Sequence, residues 1–282
     1  MDWGLIPERT ADIMFEKIGF IGTGNMGGAI ARAVKVSAVK EKVYLSDAFV
    51  ASAENLAKKI PGAFVSDNGQ IARECDLIFL GVKPQVLPAV LEEIAPVLAE
   101  RTDRFVLVTM AAGTPIDKIM ELTAEIYPVI RIMPNTPVSI GKGVVEYCGK
   151  NVTEEELDEF QALLAGSGRV VPLPENLIDA ASAVAGCGPA FVYMFIEALS
   201  DGAVACGLPR KAAMELAAAM VEGSAKMVLE TGMHPGELKD AVCSPGGTTI
   251  QGVRALEDAG FRGACMEAVI AAYEKTLELK NK

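Results

Sequence analysis

The segment Ser244-Pro245-Gly246-Gly247-Thr248-Thr249 holds the residues best suited to chemistry. It follows His234-Pro235-Gly236-Glu237-Leu238-Lys239-Asp240, and helical sequence flanks it on both sides. A Pro-Gly-Gly turn cannot sit inside a helix, and its glycines let backbone come close to a ligand. Their N–H groups lie just ahead of a helix that starts at Thr248 or Thr249, which favours an anion there. Two hydroxyls stand beside that anion site. A helix–turn–helix connector with a threonine cap has the same local pattern. What decides between them is the other end of the chain.

There, Gly22-Thr23-Gly24-Asn25-Met26-Gly27 follows the apolar strand Lys17-Ile18-Gly19-Phe20-Ile21 and opens a helix. The first glycine permits the turn, the second admits a pyrophosphate, and the third lets helix pack on strand. Asp47 lies 20 residues past Gly27, at the end of the second strand. A carboxylate there accepts from a ribose 2′-hydroxyl and repels a 2′-phosphate. No arginine follows Asp47 nearby in sequence. The expectation is NADH or NADPH as cofactor, with NADH used at least as well. Asp47 capping its own turn is the structural alternative.

Val82-Lys83-Pro84 ends a fourth strand and Ala111-Ala112-Gly113 a fifth, so both should border the cofactor cleft beyond the carboxyl edge of the sheet. The alternative for Lys83 is an ordinary solvated lysine, the commoner fate of a lysine in a turn. Arg131-Ile132-Met133-Pro134-Asn135-Thr136-Pro137 ends a sixth strand, its prolines stiffening a turn that carries Asn135. His234, the one histidine, precedes a proline at a helix start and reads as a turn residue rather than an acid.

Elements that position these groups are legible as periodicity. Apolar runs at 18–21, 43–45, 63–65, 77–80, 105–108, 129–132 and 144–147 alternate with helical stretches such as 27–36, 51–60 and 86–98. That alternation means parallel βαβ units. Thr153-x-x-Glu156 is a capping box, and a last strand follows at 169–173. Beyond residue 174 strands vanish; 189–206, 210–231, 235–242, 249–259 and 263–279 read as helices rich in Ala and Met. Helices so apolar should bury surface against another subunit. The expected fold class is α/β: a Rossmann-like dinucleotide-binding domain over 14–174, then an all-α dimerisation and substrate domain over 175–282. Residues 1–13 read as an extension ahead of Met14.

Composition narrows the function classes. The 282 residues are 51% hydrophobic, enough for a packed core. A net charge of −11 without a basic block argues against nucleic acid or an anionic membrane as partner. Six cysteines without a C-x-x-C pair, and one histidine, argue against a metal site and a disulfide framework. The uncharged run 180–196 is interrupted by Gly186, Gly188 and Pro189 and reads as too short to span a bilayer. A reduced, soluble, cytoplasmic protein is expected.

From Met14 onward the chain resembles pyrroline-5-carboxylate reductases. The resemblance rests on Phe20-Ile21-Gly22-x-Gly24-Asn25-Met26, Val82-Lys83-Pro84, Ala111-Ala112-Gly113, Met133-Pro134-Asn135-Thr136, Gly188-Pro189-Ala190 and Leu238-Lys239-Asp240…Ser244-Pro245-Gly246-Gly247-Thr248-Thr249. The last is the most specific; the first and fourth are shared with β-hydroxyacid and 6-phosphogluconate-type dehydrogenases. The resemblance implies NAD(P)H-dependent reduction of 1-pyrroline-5-carboxylate to L-proline, the last step of proline biosynthesis, by dimers or rings of dimers. It implies that Gly246, Gly247 and Thr248 hold the substrate carboxylate beside Ser244, with Asn135 at the substrate, and that Thr249 reaches the ring nitrogen. Ile21, Gly22, Thr23, Gly24, Asn25, Met26, Gly27, Asp47, Asn68, Val82, Lys83, Pro84, Ala111 and Ala112 are its implied cofactor contacts. Cys187 stands where the family often has Ser, and Asp47 where many relatives have Ser or Thr. Two other readings remain at this point: a 3-hydroxyacid dehydrogenase, with Lys211, Lys226 or Lys239 as base, and a dinucleotide-sensing protein without turnover.

Overall fold

The computed structural model describes residues 14–37 and 41–280, so the extension at 1–13 lies outside the described residues. Contacts divide the chain into two compact units. One runs to Gly186 and takes in the chain again from Tyr273; the other is Cys187–Ala272.

The first unit is built in chain order from β1 (Lys17–Ile21), α1 (Asn25–Ser37), β2 (Lys42–Ser46), α2 (Val50–Ala57), β3 (Ala63–Val65), α3 (Asn68–Glu74), β4 (Leu77–Leu80), α4 (Leu87–Ala99), β5 (Val106–Thr109), α5 (Ile116–Thr123), β6 (Val129–Pro134), β7 (Gly143–Lys150), α6 (Glu154–Leu163), β8 (Gly168–Pro172) and α7 (Glu175–Ala185). The strands form one sheet in the order β3-β2-β1-β4-β5-β6-β7-β8. The strand order turns back on either side of β1, which makes the β1–β4 junction the topological switch point where such sheets bind ligands.

Both faces of the sheet are covered, so its strands are nearly continuous apolar runs. Ile18, Phe20, Leu77, Phe79, Val106 and Val108 point into one core with α1 and α6. Ile21, Ile78, Leu80 and Leu107 point into the other, with α3, α4 and α5. Phe20 and Phe79 stack at 4.5 Å between ring centroids in the first core. Burying such side chains stabilises the fold by about 1.5–3 kcal/mol each.

One pairing departs from the all-parallel expectation: β6 and β7 are antiparallel, while every other pair is parallel. The link between them is only the 3-10 turn Thr136–Ile140 and its neighbours, too short for a crossover helix. The capping box at α6 is present, with Thr153 Oγ1 accepting from the Glu156 N–H and the Glu156 carboxylate accepting from the Thr153 N–H.

α7 has no counterpart in the periodicity reading, which placed the domain border at 174/175. Its inner face (Ile178, Asp179 and Ala183) is buried in the first unit. Asp179 accepts from Arg131 Nη2 at 2.6 Å and from Lys280 Nζ at 3.0 Å. These ties explain why the contact division falls at 186.

The second unit contains α8 (Gly188–Ala205), α9 (Arg210–Thr231), α10 (Pro235–Ala241), α11 (Thr248–Asp258) and most of α12 (Phe261–Lys280). α8 packs on α9, and Phe195 meets Phe261 at 5.7 Å. Yet among its described residues only Ser200, Ala213 and Ala217 are buried, while Tyr193, Met194, Leu216, Leu229 and Met266 are exposed. By length and composition Glu175–Ala205 is long and apolar enough to cross a membrane, at mean hydropathy 1.4, a longer segment than the uncharged run 180–196, which Asp179 and Glu197 bound. All six cysteines are free thiols, and burial pushes the Cys75 thiol up to about 12.

Candidate active site

Gly22, Asp47, Gly81 and Met110 step off the same edge of the sheet, because β1, β2, β4 and β5 are parallel and end in register at Ile21, Ser46, Leu80 and Thr109. The glycine turn is locked against the next strand end. Gly22 has φ +95°, and a Cβ there would stand 2.7 Å from the Gly81 backbone. A Cβ on Gly27 would overlap the Gly22 carbonyl oxygen, and one on Gly81 would lie 2.5 Å from that oxygen. Gly24 faces open space. So Gly22 and Gly27 close the turn, while Gly24 leaves room over the first amides of α1. This cradle fits a dinucleotide pyrophosphate.

Asp47 is held from two sides. Its Oδ2 accepts from the Thr23 N–H at 2.7 Å and from Thr23 Oγ1 at 3.0 Å; its Oδ1 accepts from the Phe49 N–H at 2.9 Å. Asp47 therefore caps its own turn, and since a carboxylate offers about four acceptor positions, these three bonds do not exhaust it. Asn68 sits at the start of α3 with its carboxamide engaged at both ends. Its Oδ1 accepts from Ser46 Oγ at 2.7 Å and its Nδ2 donates to Glu93 at 2.8 Å. Lys83 is exposed next to Val82 and Pro84, and its carbonyl accepts from the Val86 and Leu87 N–H groups that open α4. At the end of β5, Ala111 is buried and Ala112 exposed, ahead of Gly113 at φ +69°.

Asn135, expected at the substrate, is anchored to backbone through its side chain. The residue is buried, its Oδ1 accepts from the Val144 N–H at 2.9 Å, and its Nδ2 donates to the Ala185 carbonyl at 2.9 Å. Its side chain ties the end of β6 to the start of β7 and the end of α7. One N–H and one lone pair remain.

In the second unit, α11 starts at Thr248 with Gly247 as its N-cap, and no side chain caps it. Thr248 and Thr249 therefore keep free hydroxyls, both on exposed residues. Gly246 has φ +70°, and Ser244 folds over Gly247 so closely that a Cβ there would overlap Ser244 Oγ. The Gly247 N–H donates to the Ser244 carbonyl at 3.0 Å. The Gly247 amide, one of the expected anion donors, thus makes a hydrogen bond within the turn. The remaining donors are the amides of Gly246 and of the first turn of α11, where helix polarity also favours an anion. His234 caps α10, its Nδ1 accepting from the Gly236 N–H at 3.1 Å.

One group escaped the reading of the sequence. Arg32 and Lys59 line a cleft of about 600 Å3 with Thr23, Gly24, Ser52 and Asn55. Arg32 precedes Asp47 in the chain, on α1. The heptad-like spacing of Asn25 and Arg32 on one helix face was the available signal.

Similarity to known proteins covers both units. Residues 175–279 match the family model for pyrroline-5-carboxylate reductase dimerisation, and residues 17–113 match one for NADP oxidoreductase, coenzyme F420-dependent. A pyrroline-5-carboxylate reductase of Methanosarcina acetivorans is 43% identical over 270 residues, covering 95% of this chain and 99% of that protein. The Escherichia coli pyrroline-5-carboxylate reductase is 39% identical, covering 95% and 100%. Among solved structures, Plasmodium falciparum pyrroline carboxylate reductase with NADP bound superposes at TM-score 0.81 with 33% identity, covering 94% of this chain and 98% of that one. The Coxiella burnetii pyrroline-5-carboxylate reductase reaches TM-score 0.87 at 28% identity, covering 95% and 99%. With a dinucleotide cradle in one unit, a Ser-Pro-Gly-Gly-Thr-Thr anion turn in the other and such similarity over nearly its whole length, this chain belongs to the pyrroline-5-carboxylate reductase family.

Proposed function

We propose that this protein catalyses the NAD(P)H-dependent reduction of 1-pyrroline-5-carboxylate to L-proline, and that Thr249 is its catalytic hydroxyl. The observation that carries the site assignment is the uncapped start of α11, whose free amides and free hydroxyls meet at one turn. The dinucleotide, when bound, supplies the hydride that the imine carbon receives. The chain's own task is to orient the two reactants, because a cyclic imine can arrive already protonated and needs no strong acid. The amides of Gly246 and Thr248 hold the carboxylate, Ser244 flanks it, and the Thr249 hydroxyl meets the ring nitrogen. His234 stays with its helix cap. Asp47, fixed by Thr23, meets the ribose and favours NADH.

The apolar surface of α8, α9 and α12 is covered by a second copy rather than by lipid, giving a homodimer and, by further association, a ring of dimers. Each active site is completed across the two subunits, and the protein works in the cytoplasm. Two features support this: the second unit buries very few of its own residues, and it coincides with the matched dimerisation model. A 3-hydroxyacid dehydrogenase would need a free lysine base; Lys226 pairs with Glu222 and Lys239 with Asp240, which leaves only the exposed Lys211 of the three candidates. A turnover assay with the imine, using NADH and NADPH in parallel, tests the reading, and absence of proline formation with both would refute it. Sedimentation showing a fully active monomer would refute the assembly.

A further inference from the structure

Resting on the dinucleotide reading above, we propose that Glu175 is a positioning residue for hydride transfer: its carboxylate fixes the start of α5 and, through it, the loop 112–115 at the nicotinamide end of the cofactor cleft. Glu175 is the first residue of α7. Its role is to place the loop, not to take part in the chemistry.

The loop is held at its two ends. After β5, Met110 packs on the first core and Ala111 is buried, its N–H donating to Thr109 Oγ1 at 3.3 Å. Ile116 is buried at the far end, where α5 begins. Between these anchors Ala112 is exposed, and Gly113 has φ +69° with open space where a Cβ would stand. The Thr114 N–H reaches the Ala111 carbonyl only at 3.3 Å. Backbone this open lets a planar ring approach, but it stays in a productive place only if the second anchor is firm.

That anchor comes from outside the helix. The N-cap of α5 is Pro115, which has no side-chain acceptor, so the first-turn amides need one from elsewhere. Glu175, 59 residues along the chain, provides it: Oε1 accepts from the Ile116 N–H at 2.7 Å. Helix polarity also favours a carboxylate at this end. The same oxygen stands 3.5 Å from Arg131 Nη1, and the fully buried Arg131 is clamped by Asp179 at 2.6 Å. Arg131 Nη1 makes no hydrogen bond. The Ile116 amide is thus the donor that fixes the carboxylate, and the guanidinium retains it by charge. Ile116 and Glu175 line an open cleft of about 410 Å3, so a changed side chain at 175 does not disturb a packed core.

Two variants separate reach from charge. Glu175→Gln keeps an acceptor of the same length and loses the charge that Arg131 faces. Glu175→Asp keeps the charge but is shorter by one methylene, about 1.5 Å, and cannot span to the Ile116 amide. The measurements are kcat for imine reduction, Kd for NADH, Kd for ADP-ribose, which lacks the nicotinamide, and melting temperature. Glu175→Asp should lower kcat about tenfold and weaken NADH about fivefold, while ADP-ribose changes less than about twofold. Glu175→Gln should keep kcat within about threefold of the parent. Equal loss of kcat in both variants, weakening of ADP-ribose in step with NADH, or a kcat that follows melting temperature across the variants would overturn the proposal and leave Glu175 a purely structural group. A parent protein that forms no proline with either NADH or NADPH would overturn it too, and would mark the underlying reading as the fault.

Discussion

Arg131 Nη2 donates to Asp179 Oδ1 at 2.6 Å, with the arginine fully buried and the aspartate side chain 5% exposed. This pair joins the last strand of the parallel set to α7. Asn135 holds the C-terminal end of the same helix through the Ala185 carbonyl. Arg131 Nε and Nη1 have no hydrogen-bond partner, so Asp179 is its principal compensation, with Glu175 at 3.5 Å. Removing one partner of a buried pair costs about 3–5 kcal/mol, because the other charge stays buried. Asp179→Ala should therefore lower unfolding free energy by that amount in urea titrations at fixed protein concentration. A loss below about 1 kcal/mol would place the pair among ordinary surface bridges.

Acid should weaken the fold through this same group and Glu156. Burial opposes charge at Asp179, but hydrogen bonds from Lys280 and Arg131 outweigh it and hold its carboxyl below the usual range. Arg104 does the same at Glu156. Both groups bind protons more readily unfolded than folded, so their stabilisation is complete above the unfolded value of about 4 and lost as pH falls through the folded value. Melting temperature should drop steeply below about pH 4. The drop should be shallower in the Glu156→Gln variant, measured at one protein concentration.

Thr249→Ala should lower kcat by an amount corresponding to about 1–3 kcal/mol, the range for a buried hydrogen bond lost. Dinucleotide affinity should hardly change. Because α11 is capped by the Gly247 backbone and not by a threonine side chain, melting temperature should stay within a degree or so, on the scale of a surface substitution of about 0.5 kcal/mol or less. Normal kcat with a lowered melting temperature would assign Thr249 to the helix alone. Ser244→Ala should raise KM for the imine more than it lowers kcat.

Asp47→Ser should shift the kcat/KM ratio toward NADPH by about tenfold, or roughly 1.4 kcal/mol. The carboxylate that repels a 2′-phosphate is then gone, and Thr23 loses only a local acceptor. An unchanged ratio would show that Asp47 serves its turn and does not select the cofactor.

Local chemistry made much of this protein legible. The central strands β1, β4, β5 and β6, buried on both faces, must be nearly unbroken apolar runs, and their positions follow from that. The Gly22 turn and the Ser-Pro-Gly-Gly-Thr-Thr turn were readable because steric demands at Gly22, Gly27, Gly246 and Gly247 leave little choice of residue. What the sequence could not determine depends on who the neighbours are. The reversal of β7 follows from the length of a turn against a partner strand, and strand direction leaves no mark on hydropathy. α7 belongs with the sheet because Arg131, 48 residues earlier, finds Asp179. Asn135 is committed to backbone by Val144 and Ala185, and the Gly247 amide by the Ser244 carbonyl. Arg32 and Lys59 come to one cleft only because α1 and α2 lie side by side on the same face of the sheet. Short-range sterics and periodicity act within a few residues and can be read along a chain. Charge pairing and the use of donors act across space, so tertiary packing decides them.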